Sequence, residues 1–330
     1  MSTRKVRWGV VGAGRIARQF AADCLHAGNA EVVAVAARDR SRARDFATRW
    51  SIPTAYSGYE PLYEAADVDA VYIATPHTLH LDQASAALRA GKAVFCEKPI
   101  TVSAGECRQL IDEAARQQRY LAEAMWTLFL PAIRKAQAWV AEGRIGTLTR
   151  ISADLGYPMP YKPVGREYDP ALGGGVLLDM GIYPVTIALQ FFPEDPRSMH
   201  TAAHFAENGV DDQVSMLWDF GTAHASLASS FRSKLPNVAC IIGTEGYIRI
   251  PDFWRARECS LFQLDECIDH FYDGRKGGGF EFEIHAVSDD IAAGRLTSAL
   301  VPLQTSLRVQ VFMDRIRSGF PASAAGAVRR

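Results

Sequence analysis

The chain has 330 residues, 48% hydrophobic and 22% charged, with a formal net charge of -1. That length suggests two domains with a sizeable core and excludes a disordered or fibrous chain, and the near-neutral balance gives no overall basic excess for nucleic acid or an anionic membrane. The six cysteines are scattered without a CxxC pair, which fits reduced thiols in a cytoplasmic protein, and without zinc spacing or HExxH no metal is expected. Met1 to Lys5 lead straight into a strand pattern with no apolar signal segment, and no later run is expected to span a bilayer or make a membrane partner.

Residues 6–11 (VRWGVV) read as a first strand, and Gly12-Ala13-Gly14-Arg15-Ile16-Ala17 opens a helix that follows. In that setting a G-x-G-x-x-A turn suits a dinucleotide. Gly12 allows the tight turn, Gly14 lets a pyrophosphate approach the backbone, and Ala17 permits close helix packing. The unpaired N–H groups of the helix start at Gly14, Arg15 and Ile16 suit phosphate. A second strand, 31–37, ends in Arg38. An NAD enzyme usually places Asp or Glu here for the ribose 2′-hydroxyl, whereas an NADP enzyme places an arginine for the 2′-phosphate. Arg38, with Ser41 and Arg42 one helical turn on, favours NADP, and the adjacent Asp39 leaves NAD as the alternative.

A third short strand is expected near 54–56 and a fourth at 70–75, ending in Thr75-Pro76-His77-Thr78-Leu79-His80. The histidines suit either the nicotinamide side of a cleft or a helix start. Residues 93–97 (AVFCE) form a buried strand that stops at Glu97-Lys98-Pro99. Ligands of open α/β sheets collect beyond the carboxyl ends of strands, so Lys98 falls where chemistry is expected. Pro99 bars helical backbone to Lys98, while a cis Lys98-Pro99 bond is not expected from sequence. A helix over 103–118 and a strand over 120–124 complete an alternation that predicts a doubly wound, mostly parallel sheet.

Beyond that boundary, 126–142 reads as one helix closed by Gly143 and Gly146. Strands follow at 147–157, 199–206, 210–220, 223–231 and 238–250, with turns at Gly221-Thr222 and Gly243 to Gly246, which predicts an open antiparallel sheet. Val214, Met216, Trp218 and Phe220 share one strand face. The small residues of 223–231 leave a flat face suited to a second subunit. Between these strands, Gly173-Gly174-Gly175 leads into an apolar helix on which Asp179 and Tyr183, four apart, share a face. A carboxylate and a phenol there are costly to bury without partners, which favours a functional role. Trp126, Phe129, Leu155, Tyr157, Tyr161 and the mobile-looking stretch Gly277-Gly278-Gly279-Phe280 are candidates for a partly aromatic pocket lining.

The glycine turn, Thr75 to His80 and Glu97-Lys98-Pro99 together resemble the Gfo/Idh/MocA family of NAD(P)-dependent oxidoreductases over nearly the whole chain. Longer words are similar to the branch that holds the dihydrodiol dehydrogenases and NADP-linked D-xylose dehydrogenases: Val35-Ala36-Ala37-Arg38-Asp39, Glu123-Ala124-Met125-Trp126-Thr127 and Gly173 to Tyr183. The resemblance implies a Lys-Pro unit at the nicotinamide, with Lys98 touching cofactor and substrate, and Tyr72, Thr75, Pro76, His80 and Glu97 bordering the cofactor site. It also implies homodimerisation through the open sheet face. Most of the family has a histidine where Tyr183 stands, so the chain departs from the broad pattern and follows the dihydrodiol branch.

These readings give an N-terminal Rossmann domain over 1–124 for the dinucleotide and a C-terminal α+β domain over 125–330 for substrate and dimerisation. The expected function is hydride transfer between NADP (or NAD) and a small-molecule cyclic diol, sugar or dicarbonyl. Tyr183 is assigned as acid/base, Lys98 as its electrostatic partner and substrate donor, and Asp179 as the group that orients the substrate hydroxyl or Lys98. A free phenol near pKa 10 is a poor base at neutral pH, and a neighbouring ammonium lowers it. Lys98 as the proton carrier is the alternative. Two rival functions are an NAD-dependent glycosidase and a dinucleotide-binding regulator without turnover; Arg38 disfavours the first, and the retained Lys98, Asp179 and Tyr183 the second.

Overall fold

The structure, a computed structural model, describes residues 4–321; Met1, Ser2 and Thr3 of the leading segment read above lie outside them. The chain forms two compact units, Met1–Phe129 with Arg275–Arg308, and Leu130–Gly274 with Val309–Arg330. The contiguous division expected after Ala124 is therefore displaced to Phe129, and residues 275–308 pack with the first unit.

In the first unit β1 (Val6–Val11), β2 (Ala30–Ala37), β3 (Thr54–Ser57), β4 (Ala70–Ile73), β5 (Ala93–Glu97) and β6 (Leu121–Ala124) form one parallel sheet in the order β3-β2-β1-β4-β5-β6. The order reverses direction beside β1, the switch point where dinucleotides bind in such sheets. Between the strands run α1 (Arg15–Cys24), α2 (Arg40–Trp50), α3 (Glu60–Glu64), α4 (His80–Arg89) and α5 (Ala104–Gln117). Every residue of β4 and β5 is buried, as expected for strands covered on both faces. One face is aliphatic, where Val71, Ile73, Val94 and Leu121 meet Ala84, Leu88 and Leu110 of α4 and α5. The other is aromatic: Trp8 stands edge-on to Phe20 and Phe95, and Phe20 stacks on Tyr72 at 3.9 Å between centroids. Each such side chain contributes roughly 1.5–3 kcal/mol through burial.

Residues 126–142 do not form one helix. Trp126–Phe129 is a 3₁₀ turn, Leu130 is extended, and α6 (Pro131–Ala141) starts afresh, because Pro131 bars helical backbone to the residue before it. The eight-stranded sheet is built from β7 (Leu148–Gly156), β8 (Ser198–Phe205), β9 (Asp211–Asp219), β10 (His224–Ser230), β11 (Val238–Gly243), β12 (Tyr247–Pro251), β13 (Glu258–Gln263) and β14 (Glu266–Tyr272), with α7 (Ile182–Phe191) between β7 and β8. Its order is β14-β13-β12-β11-β7-β10-β9-β8, antiparallel except for the β7–β10 pair. The inward face of β9 is as expected, with Val214, Met216 and Trp218 buried. The β13–β14 hairpin escaped the sequence reading because β14 is mostly exposed and carries charge where an apolar alternation would mark a strand.

The run Pro170–Phe191, which includes α7, has 22 residues, and its most apolar 18-residue window has a mean hydropathy of 1.5, long and apolar enough to cross a membrane, contrary to expectation. Its most apolar window is 78% buried inside the protein, the setting of a core helix. The chain then returns to the first unit with α8 (Phe280–Ala292), whose Ser288 hydroxyl accepts the Trp8 indole N–H at 3.1 Å; α9 (Leu303–Ser318) follows and carries the boundary between the units at Arg308.

Candidate active site

In the first unit, the β1–α1 turn has the form a dinucleotide needs. Gly12 has φ +101°, its N–H donates to Ala36 O at 2.8 Å, and a Cβ on it would stand 2.9 Å from the Ala74 carbonyl oxygen. Only glycine fits there. Gly14 precedes α1 in extended conformation with no side-chain cap, and a Cβ on it would meet only the Ala74 oxygen at 4.0 Å. An open helix start flanked by glycines and by partly exposed Ile16 and exposed Arg15 fits a pyrophosphate.

At the end of β2, Arg38 and Arg42 are exposed. Asp39 is occupied as the cap of α2: its Oδ1 accepts from Ser41 N at 2.7 Å, Ser41 Oγ at 2.6 Å and Arg42 N at 3.2 Å. These bonds, the Ser41 hydroxyl first, hold its carboxyl below the usual range. The acid in the ribose position thus serves the helix.

The carboxyl ends of β4, β5 and β6 are laced together. Both ring nitrogens of fully buried His80 lie on carbonyls, Nδ1 2.8 Å from Pro99 O and Nε2 2.9 Å from Thr75 O. The Thr75 hydroxyl donates to Gln83 Oε1 at 2.6 Å. The Tyr72 hydroxyl donates to Glu97 Oε1, and the Lys98 backbone N–H donates to Glu97 Oε2 at 3.2 Å. Burial, then the Glu97 charge, pushes the Tyr72 phenol well up. Glu123 accepts the Ile100 N–H at 2.9 Å; burial raises its carboxyl, opposed in part by the Lys98 charge. Lys98 is 9% exposed and its bond to Pro99 is cis. Partly exposed Thr75 and Pro76 adjoin this edge. Tyr72 and His80 have no exposed surface, so each stands behind the strand ends and braces Glu97 and the Thr75 and Pro99 carbonyls.

The stretch read as mobile, Gly277 to Phe280, is pinned. Asp23 of α1 accepts the Gly278 and Phe280 N–H groups, each at 2.9 Å, and Glu281 accepts those of Gly277 at 3.2 Å and Gly279 at 2.7 Å. Phe280 stands edge-on to Trp126 at 4.6 Å, and Phe129, 2% exposed, packs edge-on to Phe95 as core. Glu283 of α8 is wholly buried, and burial, then Glu97, pushes its carboxyl far up.

In the second unit, Asp179 and Tyr183 do not ride one regular α-helix. Leu177–Gly181 is a π-turn and α7 begins at Ile182. Such insertions recur at functional sites, where they re-aim side chains. Asp179 pairs with Arg166 at 3.4 Å. Tyr183, 6% exposed, packs 6.1 Å from the Trp254 ring, which meets Tyr157 edge-on at 6.2 Å. Lys234 lies over Tyr157 and Arg255 over Trp254, each at 4.9 Å. Leu155, 2% exposed, is core and lines no surface, and Tyr161 is 40% exposed against Tyr168. Arg166, Trp254 and Asp211, whose carboxylate reaches the Leu177 N–H, escaped the sequence reading. None of the three left a signal there: strand alternation puts Asp212, not Asp211, on the buried face of Val214, Met216 and Trp218.

Residues 6–125 match the oxidoreductase family with an NAD-binding Rossmann fold, GFO_IDH_MocA, and residues 133–249 match the GFO/IDH/MocA C-terminal domain. A trans-1,2-dihydrobenzene-1,2-diol dehydrogenase of Mus musculus is 35% identical over 321 residues, covering 94% of this chain and 96% of that protein. KijD10, a 3-ketoreductase from Actinomadura kijaniata solved with NADP and TDP-benzene, superposes with a TM-score of 0.84 at 26% identity, covering 96% of this chain and 100% of that one. An aldose-aldose oxidoreductase from Caulobacter crescentus, at 22% identity and a TM-score of 0.87 over 96% of this chain and 97% of its own, shares the fold. With a glycine turn built for a dinucleotide and both family domains in sequence, the chain belongs to the Gfo/Idh/MocA family of NAD(P)-binding oxidoreductases.

Proposed function

We propose that the protein is an NADP-linked dehydrogenase or reductase of CH–OH groups on small cyclic diols, sugars or dicarbonyls. The observation that carries the reading is Lys98, held 9% exposed at the carboxyl end of β5 with its backbone tied to Glu97, in a chain matched along nearly its full length by dihydrodiol dehydrogenases. NADP over NAD rests on exposed Arg38 and Arg42 beside an Asp39 engaged in its cap.

Bound nicotinamide supplies the hydride acceptor or donor. The residues of this chain manage the proton. Tyr183 takes the hydroxyl proton as the C–H bond gives up its hydride, and returns it to the alkoxide in the reverse direction. Lys98 provides the positive charge that favours the phenolate and donates to the substrate oxygen. Asp179, with Arg166, orients the substrate. In the alternative assignment Lys98 carries the proton itself. The aromatic group Tyr157, Trp254 and Tyr183 offers a ring-shaped substrate an apolar wall.

The same reading gives a cytoplasmic homodimer, joined through the outer face of the eight-stranded sheet. There Leu217, 50% exposed, lies in a row with Ser226, Ser152 and Cys240, small side chains that allow close approach. The test is a panel of aromatic trans-dihydrodiols, D-xylose, D-glucose and methylglyoxal with NADP, followed by nicotinamide absorbance. Turnover with net cofactor conversion supports the reading. Product release without it favours the glycosidase, and cofactor binding without any turnover favours a regulator.

A further inference from the structure

The helical run that carries Asp179 and Tyr183 begins without a cap of its own. Val176 precedes the π-turn in helical conformation and contributes no side-chain hydrogen bond. The first N–H groups of a helix need acceptors. Here the acceptor comes from the start of β9, 34 positions along the chain: Asp211 Oδ2 accepts the Leu177 N–H at 2.7 Å. The other oxygen fills the space beside Gly175. A Cβ on Gly175 would stand 2.4 Å from Asp211 Oδ1, and its φ is +133°. The third glycine of the run is therefore the residue that admits this carboxylate.

On the near side, the chain entering the turn is tied by Gly174 N to Asp169 O at 2.9 Å and Gly175 N to Glu167 O at 3.0 Å. The segment is thus held from both sides just before the π-turn starts. Asp179 follows the bonded Leu177 by two residues and lies 3.4 Å from Arg166, and Tyr183 lies 6.1 Å from Trp254. A slip in the first turn would re-aim both side chains.

We propose that Asp211 is a positioning residue of the active site: its carboxylate takes the place of the missing cap and sets the rotation of the turn that presents Asp179 and Tyr183. The proposal rests on the catalytic reading of those two residues given above.

Asp211→Ala removes the acceptor, and Asp211→Asn keeps one carboxamide oxygen for the Leu177 N–H. Two measurements are made on the full-length protein: backbone amide hydrogen exchange over residues 176–183, and steady-state kinetics with NADP and a dihydrodiol, with Tyr183→Phe run alongside. Asp211→Ala is expected to speed exchange in that segment and lower kcat by about 10–100-fold, the scale of a small misplacement of reacting groups. KM for NADP should stay unchanged. Asp211→Asn should restore slow exchange and most of kcat, a rescue that a general loss of stability would not show. If Asp211→Ala fails to accumulate, Asp211→Ser replaces it.

Unchanged exchange in the deletion variant overturns the proposal. So does fast exchange with full kcat when Tyr183→Phe is inactive. Full turnover in Tyr183→Phe overturns the acid/base reading, a distinct failure, and the exchange rates still decide whether Asp211 sets the turn.

Discussion

Arg38→Ala tests how the second strand selects its cofactor. The guanidinium stands exposed at the end of β2, and the neighbouring carboxylate has Oδ1 committed to three donors at 2.6–3.2 Å. A hydrogen bond to a charged group contributes about 1.5–3 kcal/mol, and solvent screening at an exposed site places this one in the lower half, about 1.5–2 kcal/mol. Removing it should raise KM for NADP roughly 10–30-fold and leave KM for NAD nearly unchanged, because only NADP carries the 2′-phosphate. The assay is initial-rate kinetics with each cofactor at saturating second substrate. Asp39→Ala is the companion variant. It should lower the melting temperature through the lost α2 cap, without moving the NADP to NAD ratio. Equal losses for both cofactors in Arg38→Ala would refute the phosphate assignment. A selective rise in KM for NAD in Asp39→Ala would show that the acid serves a ribose after all.

Tyr183→Phe should lower turnover by about 10²-fold or more with little change in NADP affinity, whereas Lys98→Met should harm both and move the alkaline limb of any residual activity upward, checked by pH-rate profiles and cofactor fluorescence titration. Retained turnover in the first variant and none in the second would make Lys98 the proton carrier. Gly12→Ala, with its Cβ 2.9 Å from a backbone carbonyl at φ +101°, should cost more than about 1 kcal/mol and abolish measurable dinucleotide binding, read by melting and titration. Asp211 supplies a pH dependence: burial pushes its carboxyl up to about 7, with the Leu177 N–H and Arg317 opposing and Asp212 adding to the rise. Since the folded chain holds this proton more tightly, its contribution is fully present below about pH 4 and is lost as pH rises through 7, at most about 1.4 kcal/mol per pH unit between. Urea midpoints should therefore fall less steeply over pH 4–7 in Asp211→Asn than in the unmodified protein, and identical slopes would place the titration elsewhere.

Much of the first unit was written in local pattern. Short β-rich runs that end in glycine or in polar residues, alternating with amphipathic helices, specify a parallel sheet because each strand must be covered on both faces and each crossover must be long. The positions of Gly12, Gly14, Arg38 and Lys98 at strand ends followed from that alternation alone. In the second unit the alternation of Val214, Met216 and Trp218 was equally legible, since period two needs no partner to be seen. Long-range contacts decided the rest. Tyr72 and His80 carry no mark in sequence that distinguishes a ligand contact from a brace; their complete burial and their bonds to Glu97, Thr75 and Pro99 make them braces. Glycines 277–279 looked mobile by composition, yet backbone N–H groups in a turn bind whatever acceptor approaches, and Asp23, 255 positions away, supplies one. The phase of Asp179 and Tyr183 was read from an ideal α-helix. A helix's local rotation, however, depends on what its free end bonds to, and that acceptor, Asp211, arrives from another strand. Sequence period tells which residues share an element, while the acceptors and volumes brought by distant segments decide where that element starts and how it is turned.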